Sequence, residues 1–198
     1  MTLRPTGLTL IAFALCLGPQ PAWSQADAPQ TNALADEAAA RRQAGIPEEA
    51  RKAAQQALQA TLSEIIVLRY QVQQAHWNVV GEEFYQLHDM TGDFYKALGE
   101  YVDVLAEQKL TRGAPASALS PDIHKAANLP ALPAGYISGA QLISSLSESY
   151  AIVSKRLNQR IGQLGQKDDL GSQDLLIGLS SLIDKQLWML RAHSQVAE

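Results

Sequence analysis

Two long stretches of the chain carry apolar residues at alternating steps of three and four, which is the spacing of one face of an α-helix. The first stretch covers residues 48–114 and the second begins at residue 134, and neither contains a proline. Four of the nine prolines fall instead between residues 115 and 133. No segment shows the alternating pattern of a β-strand. The pattern therefore predicts two helical blocks joined by a proline-rich crossover.

The first block divides into two helices. Acidic residues directly after Pro47 favour a helix start there, because carboxylates stabilise the positive end of the helix dipole. Asn78 and Gly81 mark the end of this helix. The second helix is predicted from about residue 82 to residue 110, and Gly113 ends it. The two helices are thus joined by a short turn.

The second block also divides into two helices. Ser138 and Gln141 have the spacing of a capping box, in which each side chain bonds the backbone of the other residue. A turn flanked by Gly165 and Gly171 follows, and Ser172 is predicted to open the last helix. The last two helices are therefore also expected to be neighbours.

Four long helices with one long middle connection predict an all-α fold. Ser120–Pro121 resembles a helix start with proline at the first helical position, so a short helix is expected over residues 121–128. The long crossover lets the two helix pairs run up-down-down-up. We therefore predict a ferritin-like four-helix bundle with a short helix in the crossover between helices 2 and 3.

The first 26 residues have the layout of a secretory signal peptide, with Arg4, an apolar run over residues 8–17 and small residues at cleavage spacing. A membrane anchor is the alternative, but a run of about ten residues is too short for a bilayer, which needs about 20. We expect export, to the periplasm, with no membrane attachment after cleavage. Residues 27–47 are expected to form a flexible N-terminal arm, and residues 48–198 the bundle domain.

Charge and cysteine content exclude several classes of protein. The chain has 198 residues, with 16 basic and 20 acidic side chains and a formal net charge of -4. A protein that binds nucleic acid non-specifically needs a large basic excess, so nucleic acid is not an expected partner. The one cysteine, Cys16, lies in the leader, which excludes a disulfide framework and a thiolate metal cluster.

Two histidines and two carboxylates are the candidate metal ligands. His76 ends the first helix and His88 opens the second, and imidazole suits a first-row metal. Asp103 and Glu107 are four residues apart, on one helical face. Each feature alone is more often structural, since a lone histidine usually packs in a core and such a carboxylate pair usually faces solvent. Together they describe a site for iron, manganese or zinc.

These ligands cannot meet within one chain. At a rise of 1.5 Å per residue, Asp103 and Glu107 lie ~22 Å and ~28 Å beyond His88 along the same helix. No Glu-x-x-His pair is present, so a di-iron centre inside one bundle is not expected. Two antiparallel copies of this helix would bring His88 of one chain near Asp103 and Glu107 of the other. The composition therefore predicts a homodimer with two equivalent interface sites.

Two motifs about a hundred residues apart resemble the signature of the Dps-like mini-ferritins. The first comprises His76–Gly81 (HWNVVG), Phe84, Leu87–His88, Asp103 and Ala106–Glu107, and the second comprises Asp184–Leu190 (DKQLWML) with Ala192–His193. The resemblance covers roughly residues 50–195. It implies the bundle described above, assembled as a hollow dodecamer. Members of that family oxidise Fe(II), preferably with hydrogen peroxide, and store ferric mineral inside the shell.

The resemblance also assigns roles to residues. His76 and His88 match the family's histidine ligands from one subunit, and Asp103 and Glu107 match its carboxylates from another. Trp77 matches a tryptophan beside the site. It implies iron at an inter-subunit site, a ferroxidase activity that protects against oxidative stress, and no organic cofactor.

One position departs from the family pattern. The family usually has an aspartate four residues after the second histidine, where this chain has Gly92. Asp93 follows, but one residue turns it by about 100° around the helix, so it would serve only if the helix were locally irregular. The alternative function is therefore a non-enzymatic shell or metal buffer whose ferroxidase centre has degenerated. The lysine-rich tail with which some members compact DNA is absent.

Overall fold

The computed structural model describes residues 45–193. Its elements in chain order are α1 (Glu48–Asn78), β1 (Val79–Val80), α2 (Phe84–Thr111), α3 (Ser120–Ala127), β2 (Ile137–Ser138), α4 (Gly139–Gly165) and α5 (Leu170–Ala192). The predicted signal peptide, and the predicted arm up to residue 44, lie outside the described residues. Among the helices of residues 45–193, none combines the length and the hydrophobicity needed to span a lipid bilayer.

The four long helices pack as two pairs around one apolar core. α1 lies along α2, α4 lies along α5, and α1 also contacts α4. Leucines supply much of the core, among them the fully buried Leu58, Leu98, Leu146 and Leu179. The all-α four-helix bundle with a short helix in the long crossover is therefore confirmed.

The helix ends follow the sequence in part. Ser138 forms the expected capping box, since its hydroxyl accepts the Gln141 amide at 3.3 Å and the Gln141 side chain accepts the Ser138 amide at 3.0 Å. Ser120 is already helical, and Leu119 takes the capping position. These differences are of one residue, the usual uncertainty of a helix end.

The last helix begins earlier than expected, because Asp169 rather than Ser172 caps it. The Asp169 carboxylate accepts the Ser172 amide at 3.0 Å and binds the Arg112 guanidinium through two bonds of 2.7 Å. Burial raises the pKa of Asp169, but the bonds from Arg112 and Ser172 outweigh it and leave the pKa below its ordinary value. This one carboxylate thus ties the end of α2 to the start of α5.

Two short strands were not expected from the sequence. Val79 pairs with Ile137 and Val80 with Ser138, in parallel. Two residues are too few to show an alternating pattern, so only the tertiary structure reveals the pairing. It fastens the α1–α2 turn to the start of α4.

Glutamines of α1 hold the proline-rich crossover. Gln59 bonds both backbone groups of Ser117, accepting its amide at 3.0 Å and donating to its carbonyl at 2.9 Å. Gln71 donates to the Pro130 carbonyl at 2.6 Å. A proline has no backbone N–H, so a crossover of this composition offers carbonyl oxygens, and the side-chain amides of α1 supply the donors.

A buried carboxylate joins α1 to α4. Glu64 is 1% exposed and accepts two bonds from Arg160, of 2.6 and 2.7 Å, in the bidentate geometry of guanidinium and carboxylate. Arg156 adds a longer bond of 3.2 Å and also donates to the Ala127 carbonyl at the end of α3. Three helices therefore meet at this ion pair.

Candidate metal site

His76 and His88 face each other across the α1–α2 turn. His76 lies in the last turn of α1, and His88 lies in the second turn of α2. Their rings stack with centroids 3.8 Å apart and planes 20° apart. Both residues are partly buried. The short turn predicted from Gly81 thus brings the two candidate histidines into contact.

Each histidine bonds the backbone of the other. His76 Nδ1 lies 2.6 Å from the His88 carbonyl oxygen, and His88 Nδ1 lies 2.9 Å from the His76 carbonyl oxygen. A carbonyl oxygen only accepts, so both Nδ1 atoms must carry the proton. In the neutral ring the lone pair then resides on Nε2. Backbone bonds of this kind commonly orient metal-binding histidines, and they leave both Nε2 atoms available as ligands.

The stacking restricts how the two rings can bind metal. The lone pair of each Nε2 lies in its own ring plane, and these planes are nearly parallel. Two such lone pairs do not converge on a single ion at the usual metal–nitrogen distance of about 2.0–2.1 Å. The pair is therefore better suited to one ion per imidazole than to a single ion shared by both rings.

Gly92 is packed against the His76 ring. A Cβ atom at this position would lie 3.2 Å from Cε1 and 3.4 Å from Nδ1 of His76. The space in which a ligand carboxylate was expected is therefore partly filled by the imidazole itself. The sequence did not show this contact, because His76 and Gly92 belong to different helices.

Two aromatic residues hold the histidine pair. Phe84 stacks on His88 with centroids 5.1 Å apart, and the Tyr95 ring meets His76 edge-on at 5.3 Å. Phe84 belongs to the sequence motif, whereas Tyr95 does not. Tyr95 lies seven residues after His88, which is two helical turns, and that spacing could have placed it on the same face.

The carboxylates lie apart from the histidines within one subunit. Asp103 and Glu107 are exposed farther along α2. Asp93 is exposed at a separate cavity of about 400 Å³ between α2 and α5, beside Lys185. Within residues 45–193 no group of three or more His, Cys, Asp or Glu side chains could hold a metal ion. One subunit therefore contributes imidazoles at one end of α2 and carboxylates at the other.

Comparison with known proteins identifies the family. A family model for the ferritin-like domain matches residues 55–198. The crystal structure of Dps92 from Deinococcus radiodurans superposes with a TM-score of 0.72 at 36% identity, covering 75% of this chain and 90% of that one. The chain belongs to the ferritin-like family, as a Dps-like mini-ferritin. The resemblance read from the two sequence motifs is thus confirmed.

Further relatives of this Dps-like chain cover most of the bundle. DNA protection during starvation protein 2 of Deinococcus radiodurans is 37% identical over 140 residues, which are 71% of this chain and 58% of that protein. The chain therefore spans little more than half the length of that relative. A structure of Dps from Microbacterium arborescens in the high iron form has a TM-score of 0.70 at 28% identity, covering 75% of this chain and 96% of that one.

Proposed function

We propose that this Dps-like protein oxidises Fe(II) with hydrogen peroxide and stores the ferric product in an oligomeric shell, protecting against oxidative stress. The observation that carries the proposal is the stacked histidine pair, in which both Nδ1 atoms are held by backbone carbonyls and both Nε2 atoms remain for metal. A related Dps structure described as a high iron form supports iron as the metal.

The complete site is proposed to form between two subunits. Asp103 and Glu107 lie ~22 Å and ~28 Å beyond His88 along α2, so they reach the histidines only from a second copy packed antiparallel. A two-fold axis then creates two equivalent sites per dimer. We propose that such dimers build the closed dodecamer of the Dps-like family.

In the proposed reaction, two Fe(II) ions are oxidised for each hydrogen peroxide that is reduced. Each Fe(II) gives one electron to hydrogen peroxide, the O–O bond breaks, and two protons from solvent complete two waters while two Fe(III) remain. His76 and His88 would each orient one iron through Nε2. Asp103 and Glu107 would add the negative oxygen ligands that a hard cation prefers. Consuming Fe(II) and peroxide together removes both reagents that generate hydroxyl radicals.

A passive shell or metal buffer is the second candidate. Gly92 favours it, because a glycine supplies no ligand where the family usually has a carboxylate, and Asp93 lies at another cavity. DNA protection appears in the name of a relative. We propose no DNA binding for this chain, because its formal net charge is -4 and DNA binding needs a basic surface.

Export is part of the proposal. The charged start, apolar run and small-residue sites of residues 1–26 predict removal of a signal peptide and a periplasmic location. The intact mass of protein from an envelope fraction should show a start near residue 25 or 27. A cytoplasmic species that retains Met1 would refute export.

Subunit mixing tests the inter-subunit site directly. His88→Ala and Glu107→Ala should each abolish most Fe(II) binding and peroxide-driven oxidation in stopped-flow absorbance. Dimers formed from one subunit of each variant regain one intact site, so random re-assembly at equal concentrations should restore about a quarter of the wild-type sites. His124→Ala and Glu148→Ala, which change exposed side chains elsewhere, are the matched controls.

The outcomes separate the two candidate functions. Equal oxidation rates in the wild type, His88→Ala and Glu107→Ala would favour the passive shell. Loss of activity in both variants with no recovery in dimers shown to contain one subunit of each would contradict the inter-subunit site. A stable monomer in light scattering at micromolar concentration would remove the interface site altogether.

A further inference from the structure

A cavity of about 580 Å³ lies between α1 and α2. Two of its α2 residues, Tyr95 and Gly99, lie seven residues after His88 and four before Asp103, which is the spacing of one helix face. Arg69 from α1 and Lys96 from α2 line it, together with the single carboxylate of Glu100. The phenol rings of Tyr70 and Tyr95 complete its polar wall. Each subunit thus contributes two cations and one anion to this cavity.

Arg69 is a partly buried cation in the wall of this cavity. Its guanidinium lies 5.7 Å from the Tyr70 ring centroid, and its Nε would be 3.2 Å from a Cβ atom on Gly99. The absent side chain of Gly99 therefore lets Arg69 lie close against α2. Within residues 45–193, neither Arg69 nor Lys96 forms an ion pair. A partly buried cation normally requires a compensating anion.

The proposed dimer places two of these cavities face to face, and this step rests on the proposed function. If His88 of one subunit meets Asp103 and Glu107 of the other, the two-fold axis crosses α2 midway between them, near residues 96–97. Lys96 therefore lies where the axis crosses α2, and Gly99 follows less than one helical turn later. The two cavities therefore merge on the axis, ~12 Å along α2 from each histidine pair.

We propose that the merged cavity binds an inorganic oxyanion of the phosphate class on the two-fold axis. Closing the interface encloses four cations, two Arg69 and two Lys96, against two Glu100 carboxylates. Enclosing this excess of positive charge without a counter-ion would oppose association. The planar guanidinium forks of two Arg69 side chains suit a tetrahedral oxyanion, which they can bind through paired N–H donors.

The bound anion has a direct consequence for assembly. Because it binds the dimer and not the separate subunits, phosphate should stabilise the assembly by mass action. The protein as a whole is acidic, so the anion site would be a small positively charged site on the two-fold axis rather than part of an extended basic surface. It would also place an oxyanion between the two metal sites of each dimer.

Binding of inorganic phosphate to the assembled mature protein tests the proposal. Equilibrium dialysis with labelled phosphate, against chloride at constant ionic strength, should give about one phosphate for every two chains. Arg69→Gln and Lys96→Gln should each weaken binding at least about tenfold. Arg51→Gln and Lys125→Gln, which lie outside the cavity, should bind as the wild type does. Sulfate should compete with phosphate.

A second measurement separates charge neutralisation from general destabilisation. Phosphate should raise the dissociation temperature of the wild-type assembly, whereas Arg69→Gln should assemble in chloride alone and respond little to phosphate. No bound phosphate in an intact dimer-based assembly would overturn this inference and leave the proposed function standing. Equal binding by Arg69→Gln and wild type would also overturn it. A protein that stays monomeric in saturating phosphate would remove the interface on which both depend.

Discussion

Gly92 offers the sharpest test of the histidine pair, through Gly92→Ala. The new Cβ would lie 3.2 Å from Cε1 of His76, whereas carbon atoms normally rest about 3.5–4.0 Å apart. The ring must therefore shift by a few tenths of an ångström. That shift strains the 2.6 Å bond from His76 Nδ1 to the His88 carbonyl and the 3.8 Å stack.

The expected magnitudes follow from these contacts. Loss of a hydrogen bond that orients a metal ligand typically costs 10–100-fold in affinity, so Gly92→Ala should weaken Fe(II) binding by about that factor. Alanine favours a helix over glycine by up to ~1 kcal/mol, while overpacking costs about 1–3 kcal/mol. The free energy of unfolding should therefore fall by about 0–2 kcal/mol. Anaerobic Fe(II) titration and urea denaturation measure the two quantities.

Two further glycine variants isolate the cause. Gly162→Ala, where a Cβ atom meets nothing within 4 Å, should stabilise α4 without changing iron binding. Gly92→Asp adds the same Cβ plus a carboxylate on the His88 face, so it should bind Fe(II) more tightly than Gly92→Ala and oxidise it faster. If Gly92→Ala bound Fe(II) as the wild type does and gained as much stability as Gly162→Ala, the packing of His76 on Gly92 would have no functional role.

Three predictions concern the ion pairs and the crossover. Arg160→Met leaves the Glu64 carboxylate buried with one weaker partner and should lower the free energy of unfolding by about 3–5 kcal/mol in urea denaturation, whereas a loss below ~1 kcal/mol would contradict the buried pair. Asp169 has a lowered pKa, so its stabilisation is complete above its unfolded pKa of about 3.9 and is lost as the pH falls through the lower folded value. As the pH is lowered from 6 to 2, the free energy of unfolding should therefore fall less for Asp169→Asn than for the wild type. An equal fall would show that Asp169 does not provide this pH-dependent stabilisation. Gln59→Ala should cost about 1–3 kcal/mol and speed hydrogen exchange of the Ser117 amide, and unchanged exchange would show that this contact does not hold the crossover.

The acidic and glutamine side chains of α1 show why the helix is so polar on one side. Glu64 faces α4 and binds Arg160 there. Gln59 and Gln71 face the crossover and donate hydrogen bonds to its backbone carbonyl groups. Most buried polar groups in proteins are paired, and these hydrogen bonds fix how the crossover lies on the bundle. The long connection is therefore bound along its length rather than only at its ends.

The helices themselves could be predicted from local sequence. Apolar spacing over three and four residues, the acidic start at Glu48, the Ser138–Gln141 capping box and the cluster of prolines in the crossover are local signals, and the structure agrees with each of them. The family, and the choice of His76 and His88 as candidate metal ligands, also followed from short motifs. Local signals suffice here because helix formation depends on interactions within a few residues.

Only the tertiary structure decided the contacts between distant residues. The Glu64–Arg160 ion pair joins residues 96 positions apart, and nothing local distinguishes Glu64 from an exposed helical glutamate. The stacking of His76 on His88, the space that Gly92 leaves for the His76 ring and the Val79–Ile137 pairing depend equally on how separate elements pack. Periodicity reports which face of a helix is buried, but it does not report which residue of another helix that face will meet.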